Sequence, residues 1–263
     1  MKTITTSSLK TMKTNGEKIV VLTAYDATFA TLAETAGIDV LLVGDSLGNV
    51  CLGYKTTVPV TMDDMCHHTA AVSRGNGKSL LVADLPYMAY ATEEQTLRNA
   101  ALLMQAGAQM VKLEGGEWLA PSVCKLSERG IPVCGHLGLT PQSVDKLGGF
   151  KVQGKDDQAA QRMLADARAL EDAGADMLVV ECVPASLGAE LAQQLSIPVI
   201  GIGAGADTDG QVLVVYDMLG ISAKIPKFSR NFLADAEGIP QAMAAYADAV
   251  RSGAFPAAEH SFS

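Results

Sequence analysis

Positive charge is in short supply in this chain. Twenty lysines and arginines stand against 29 aspartates and glutamates, a net charge of −9 with a pI near 4.9. An acidic surface offers no attraction to nucleic acid or to an anionic membrane, so neither is expected as a partner. Long apolar runs are missing too. None approaches the roughly 18 to 20 residues that a membrane span needs. Residues 1–18, MKTITTSSLKTMKTNGEK, hold no apolar stretch, so no secretory signal is expected. Cysteine is scarce and odd in number. Cys51, Cys66, Cys124, Cys134 and Cys182 include no Cys-x-x-Cys pair and lie inside or beside apolar runs. Buried reduced thiols in a cytoplasmic protein are the expectation. The only tryptophan, Trp118, is most simply a core residue.

Short apolar runs are plentiful. Eight of them, at 19–25, 40–45, 79–84, 110–114, 132–136, 177–182, 198–202 and 211–216, are rich in Val, Ile and Leu. They read as continuous rather than alternating, the pattern of strands covered on both faces in a parallel sheet. Helical patterns lie between most of them, at 26–37, 61–75, 92–107, 117–129, 157–174 and 184–195, with a last one near 239–252. Gly37, Gly107 and Gly174 each follow an alanine where a helix should stop, as left-handed caps do. Thr61-Met-Asp-Asp64 has the shape of a capping box with Asp in place of Glu. Strand and helix alternating eight times predict an α/β fold, a (β/α)8 TIM barrel spanning 1–263 as one domain. The polar, Gly-rich link at 140–157 predicts a mobile cover rather than a packed element. The link AGADTDG, before the eighth strand, is too short for a helix.

Five apolar runs end in the same manner. VLLVGDSLG (40–48) breaks into Asp45 and Ser46, LLVADLP ends on Asp84, and MVKLEGG carries Lys112 and Glu114. PVCGHLG ends on His136 and MLVVECV on Glu181. One strand-end aspartate is ordinarily a turn or cap residue. Several from separate strands converge at the C-terminal mouth of a barrel, where such folds keep their active sites. There, Asp45, Asp84 and Glu114 form an all-oxygen set suited to a hard divalent cation such as Mg²⁺. Such an ion can hold a 2-oxo acid and polarise its carbonyl. Glu181 is the candidate base. Lys112, two residues from Glu114, shares its face and can bind the negative charge of a small-molecule substrate. His136 is read as a hydrogen-bonding group at the substrate.

Alternatives stay open at this level. Lys112 could serve instead as a Schiff-base nucleophile, although three neighbouring carboxylates would hold it protonated. A non-catalytic small-molecule binder would not need Glu181. GIGAGA (201–206) matches a dinucleotide fingerprint but leads into another strand where that fingerprint needs a helix. DDMCHH (63–68) lies on a helical pattern, where adjacent side chains diverge.

The segments LTAYD, VGDSLG, ADLPYMAYAT, VKLEGGEW, PVCGHLGLTPQSV, GGFKVQG, VVECVP, PVIGIGAG and IPKFSRNFL together closely resemble the ketopantoate hydroxymethyltransferase family. The likeness runs nearly end to end and departs mainly at 49–57 and 222–227. It implies a (β/α)8 barrel, a Mg²⁺-dependent reaction, 5,10-methylenetetrahydrofolate as one-carbon donor and the first committed step of pantothenate synthesis. By the same likeness Asp45, Asp84 and Glu114 correspond to metal ligands or their water-bridged partners. Ser46 and Lys112 correspond to oxo-acid-binding positions, and Glu181 to the base. A homo-oligomer, a homodecamer by the same likeness, is also implied.

Overall fold

A sheet with two apolar faces must be covered on both. The computed structural model, which describes residues 3–263, meets that demand by closing the sheet on itself. The strands are β1 (Ile19–Thr23), β2 (Val40–Val43), β3 (Leu80–Asp84) and β4 (Met110–Glu114). They continue as β5 (Val133–Gly138), β6 (Met177–Glu181), β7 (Val199–Ile202) and β8 (Gly210–Leu213). All pair in parallel and in chain order, and β8 closes against β1 with Gln211 opposite Val20. Tyr246 clamps that seam from the last helix. Its buried hydroxyl lies 2.8 Å from the Val21 carbonyl and 3.1 Å from that of Gln211.

The two faces of each strand go to different cores. Val20, Leu22, Leu41, Val43, Leu81 and Ala83 pack outward under the helices. Ile19, Val21, Val40, Leu42, Leu80 and Val82 fill the lumen. Period-two alternation then carries the inner row upward. On β3 it reads Leu80, Val82, Asp84; on β4 it reads Met110, Lys112, Glu114; on β6 it reads Met177, Val179, Glu181. The polar endings belong to the lumen face at the C-terminal mouth.

Helices at Ala27–Thr35, Met62–Gly75, Glu93–Gln105, Ala120–Glu128, Asp157–Asp172, Ala185–Gln194 and Ile239–Arg251 follow the expected places within a few residues. The capping box forms: Thr61 Oγ1 accepts the Asp64 N–H at 3.2 Å, and Asp64 Oδ2 accepts the Thr61 N–H at 2.9 Å. Gly37, Gly107 and Gly174 sit at φ of 86°, 112° and 100°, where a side chain would be strained. No helix follows GIGAGA, which turns directly into β8.

Four features depart from expectation. Thr6–Asn15 is helical, and its Leu9 seals the lower lumen beside Ile19 and Val21, with Met12 against them. Its apolar positions are too few to announce a helix. The eighth strand stops at Leu213, because Val215–Met218 turns into a short helix. Trp118 is not a core residue: it is 63% exposed and stacks near Tyr90, with 6.3 Å between ring centroids. All five thiols are free, yet Cys51 and Cys124 are exposed rather than buried. Among the described residues no helix is long and apolar enough to cross a membrane.

Candidate active site

Register alone makes two of the contacts at the mouth. Asp84 is the partner of Lys112 across β3 and β4, and Glu114 is the partner of His136 across β4 and β5. Lys112 Nζ lies 2.7 Å from Asp84 Oδ1, an ion pair whose atoms are not aligned as a hydrogen bond. The same ammonium is 3.4 Å from His136 Nδ1, which is 3.2 Å from Glu114 Oε1. The other ring nitrogen, Nε2, is 3.3 Å from Glu181 Oε2 but out of line for a hydrogen bond. Asp45 follows β2 in a tight turn, and its backbone N–H donates to Asp84 Oδ2 at 3.1 Å. Next to it, the Ser46 hydroxyl is 2.9 Å from that of Tyr25. Thus Asp45, Ser46, Asp84, Lys112, Glu114, His136 and Glu181 all line one cavity of about 570 Å³.

Burial dominates the electrostatics here. Asp45, Asp84, Lys112, Glu114 and His136 are buried, while 13% of the Glu181 side chain remains open. Burial, then repulsion from Asp84 and Glu114, pushes the Asp45 carboxyl far above the carboxylate range. Glu114 is pushed up to about 7, chiefly by burial, with the Lys112 charge opposing. Glu181 is raised by burial, with His136 opposing. His136 is lowered by burial and by the Lys112 charge, so its ring is neutral. For Lys112 burial works against the charge, but Asp84, Glu114 and Asp45 outweigh it and hold the ammonium. A protonated lysine is no nucleophile, so the Schiff-base alternative loses ground.

The donors fit a hard cation. Four carboxylates face a single ammonium, and Asp45 Oδ1 has no hydrogen-bond partner among the described residues. No three His, Cys, Asp or Glu side chains among the described residues converge as a ready cage. Glu114 Oε2 accepts the Gln142 N–H at 3.0 Å, and Oε1 lies 3.2 Å from His136 Nδ1. Asp45 and Asp84 form a candidate pair, Asp45 Oδ1 without a protein partner among the described residues, Asp84 Oδ1 paired with Lys112 and Oδ2 accepting the Asp45 N–H. Mg²⁺ is commonly held by one or two carboxylates and keeps several waters, so a pair suffices.

The segment 140–157 is corrected in its first part. Pro141–Ser143 and Val144–Leu147 form two short helical turns, with Gln142 and Val144 buried. Gln142 is a site residue that sequence reasoning missed. Its Nε2 donates to Asp45 Oδ2 at 2.9 Å and to the Leu85 carbonyl at 3.0 Å, and its Oε1 accepts the Tyr90 hydroxyl. Nothing in a polar, Gly-rich stretch signals a buried amide. Beyond Gly148 the segment stays open, with Phe150 exposed yet lining the cavity. Lys55, Lys224 and Lys227 also line it, with the Lys227 ammonium 5.0 Å over the Phe262 ring. Cys182, just past Glu181, is held at φ 49° by backbone bonds to Ile202 and Gln153. Such strain survives only where the surroundings over-determine it, and active sites collect it.

A family model described as ketopantoate hydroxymethyltransferase matches residues 3–258. A 3-methyl-2-oxobutanoate hydroxymethyltransferase of Shewanella piezotolerans is 59% identical over 264 residues, covering all of both chains. Its counterpart from Shewanella halifaxensis is 60% identical over 263 residues, again covering all of both. Solved structures share the barrel at low identity. A phosphonopyruvate hydrolase complexed with oxalate and Mg²⁺ is 14% identical with a TM-score of 0.62, over 80% of each chain. An oxaloacetate acetylhydrolase with 3,3-difluorooxalacetate is 15% identical with a TM-score of 0.60, over 96% of this chain and 98% of that one.

Proposed function

This chain belongs to the ketopantoate hydroxymethyltransferase family, and on that premise we propose the reaction it runs. It transfers a hydroxymethyl group from 5,10-methylenetetrahydrofolate to 3-methyl-2-oxobutanoate, giving 2-dehydropantoate, the first committed step of pantothenate biosynthesis. One observation carries the reading: buried carboxylates crowd a single ammonium on the floor of a cavity too large for a small oxo acid alone. A cavity of about 570 Å³ lies in the range that holds a drug-sized molecule.

The residues divide the work. Asp45 and Asp84, with Glu114 behind them, would hold Mg²⁺. When bound, the ion supplies positive charge to the oxo acid's carboxylate and keto oxygens and so acidifies the adjacent C–H. Lys112 and Ser46 bind the acid's negative end, Ser46 oriented by the Tyr25 hydroxyl. Glu181 removes the C3 proton. Its raised pKa keeps the carboxylate basic enough for that step. Neutral His136 accepts from Lys112 at Nδ1 and offers Nε2–H to Glu181, a contact that a small carboxylate rotation completes. Water displaces tetrahydrofolate from the methylene carbon, both C–N bonds breaking to give formaldehyde. The enolate carbon then bonds to that carbon, and its oxygen takes a proton to become the product hydroxyl.

Further out, Phe150 and Phe262 offer apolar faces, and Lys55, Lys224 and Lys227 offer positive charge. A folate presents an aromatic ring and carboxylates to such a rim. An assembly of identical subunits belongs to the same proposal. Product formation assayed in chelator, then with Mg²⁺ restored, tests the cation: activity should vanish and return. Full turnover in excess chelator would overturn it. A borohydride-trapped adduct on Lys112 would favour the Schiff-base alternative.

A further inference from the structure

Gln142 has no part in the proton transfer, yet it is among the most heavily bonded side chains at the site. It is buried, and both of its amide hydrogens are spent, on Asp45 Oδ2 and on the Leu85 carbonyl. Its oxygen accepts from Tyr90, whose hydroxyl fixes which way round the amide lies. Its own backbone N–H holds Glu114 Oε2 at 3.0 Å. One residue after β5 therefore ties the ends of β2, β3 and β4 together. Those are the three strand ends that carry Asp45, Asp84 and Glu114.

These bonds leave each carboxylate in a particular state. Asp45 has one oxygen committed to the amide and one, Oδ1, without a protein partner among the described residues. Glu114 Oε2 accepts the Gln142 N–H, and Oε1 faces His136 Nδ1 at 3.2 Å. The denticity of the site follows. Asp45 can offer a cation one oxygen. A Mg²⁺ ion demands a small, near-octahedral shell with monodentate carboxylates and water. Ca²⁺ takes six to eight oxygens and readily uses a carboxylate bidentately.

We infer that Gln142 is a positioning residue that sets the cation preference of the site, holding Asp45 to a single donor oxygen so that the pair with Asp84 suits Mg²⁺ rather than Ca²⁺. The inference rests on the cation reading proposed above. Without the amide, Asp45 is free to turn and offer both oxygens, which a larger ion exploits better than a smaller one. Tyr90 acts one step further back, by orienting the amide.

Calorimetric titration of the metal-free protein with Mg²⁺ and with Ca²⁺ tests this without any turnover assay. Gln142→Met keeps the length and the backbone N–H but removes both donors. It should weaken Mg²⁺ binding about 10-fold, the lower end of what partners of metal ligands cost when removed, while Ca²⁺ binding holds or tightens. Tyr90→Phe keeps the packing and should move the ratio in the same direction by less, and it stands as the test if Gln142→Met does not fold. Equal weakening of both ions in either variant would reduce Gln142 to general support and overturn the inference. So would unchanged binding of both. Wild-type protein that binds neither ion would instead overturn the cation reading itself.

Discussion

Asp84 and Lys112 stand opposite each other in the register of β3 and β4, and their charged atoms meet 2.7 Å apart with both side chains buried. A buried ion pair gains little over an apolar pair of the same shape, because both charges must first leave water. Removing one partner is another matter, since it strands a buried charge. Such a pair is poor evidence for a stabilising role and good evidence for one at a substrate. Around it, Asp45, Glu114 and Glu181 add further carboxyl groups, more than one ammonium can neutralise once they ionise.

The base can be isolated from the rest of the reaction. Proton abstraction at C3 needs no folate, so the protein with Mg²⁺ and 3-methyl-2-oxobutanoate in deuterated water should exchange that proton. Glu181→Gln keeps the shape and should bind the oxo acid nearly as well, yet exchange about 10² to 10⁴ times more slowly. Proton NMR resolves this. Wild-type exchange in Glu181→Gln, with loss in Lys112→Ala, would reassign the base.

The cation should also stabilise the protein in a pH-dependent way. Asp45 is raised far above the carboxylate range and Glu114 to about 7, both first by burial. A carboxyl raised on folding contributes stability that is full below its unfolded value and lost as pH rises through the folded one. The metal-free protein therefore loses this contribution between the acid range and about pH 8. On the proposed reading Mg²⁺ binds the ionised forms and should offset that loss. At free Mg²⁺ near 100 times Kd the gain is about 2.7 kcal/mol. The rise in Tm on adding Mg²⁺ should be larger at about pH 8 than at about pH 6. A larger rise on the acid side would contradict the assignment of the carboxylates.

The rim can be tested separately from the floor. Lys55 and Lys224 are exposed, line the cavity and carry no ion pair among the described residues. The double variant Lys55→Ala/Lys224→Ala should raise KM for the folate about five-fold, the effect of about 1 kcal/mol from two exposed charges. Deuterium exchange at C3 of the oxo acid should stay as in the wild type. A changed exchange rate with an unchanged folate KM would place these lysines with the wrong substrate.

The local record in the sequence was long. Continuous Val, Ile and Leu runs, helix caps at Thr61, Gly37, Gly107 and Gly174, and polar strand endings are short-range signals. They determined by themselves the eight strands, the barrel and the face on which Asp84, Lys112, Glu114 and Glu181 lie. Period-two alternation needs no knowledge of neighbours. Tertiary structure decided the rest. Gln142 sits in a stretch whose composition reads as open loop, and only its approach to strand ends remote in sequence buries it. Which groups surround the Glu114 oxygens is set by β5 and the loop after it, where His136 and Gln142 lie. The exposure of Trp118 and the plug made by Leu9 are likewise set by what other segments cover. Alternation says which way a side chain points, but its partners are chosen where distant segments of the chain meet.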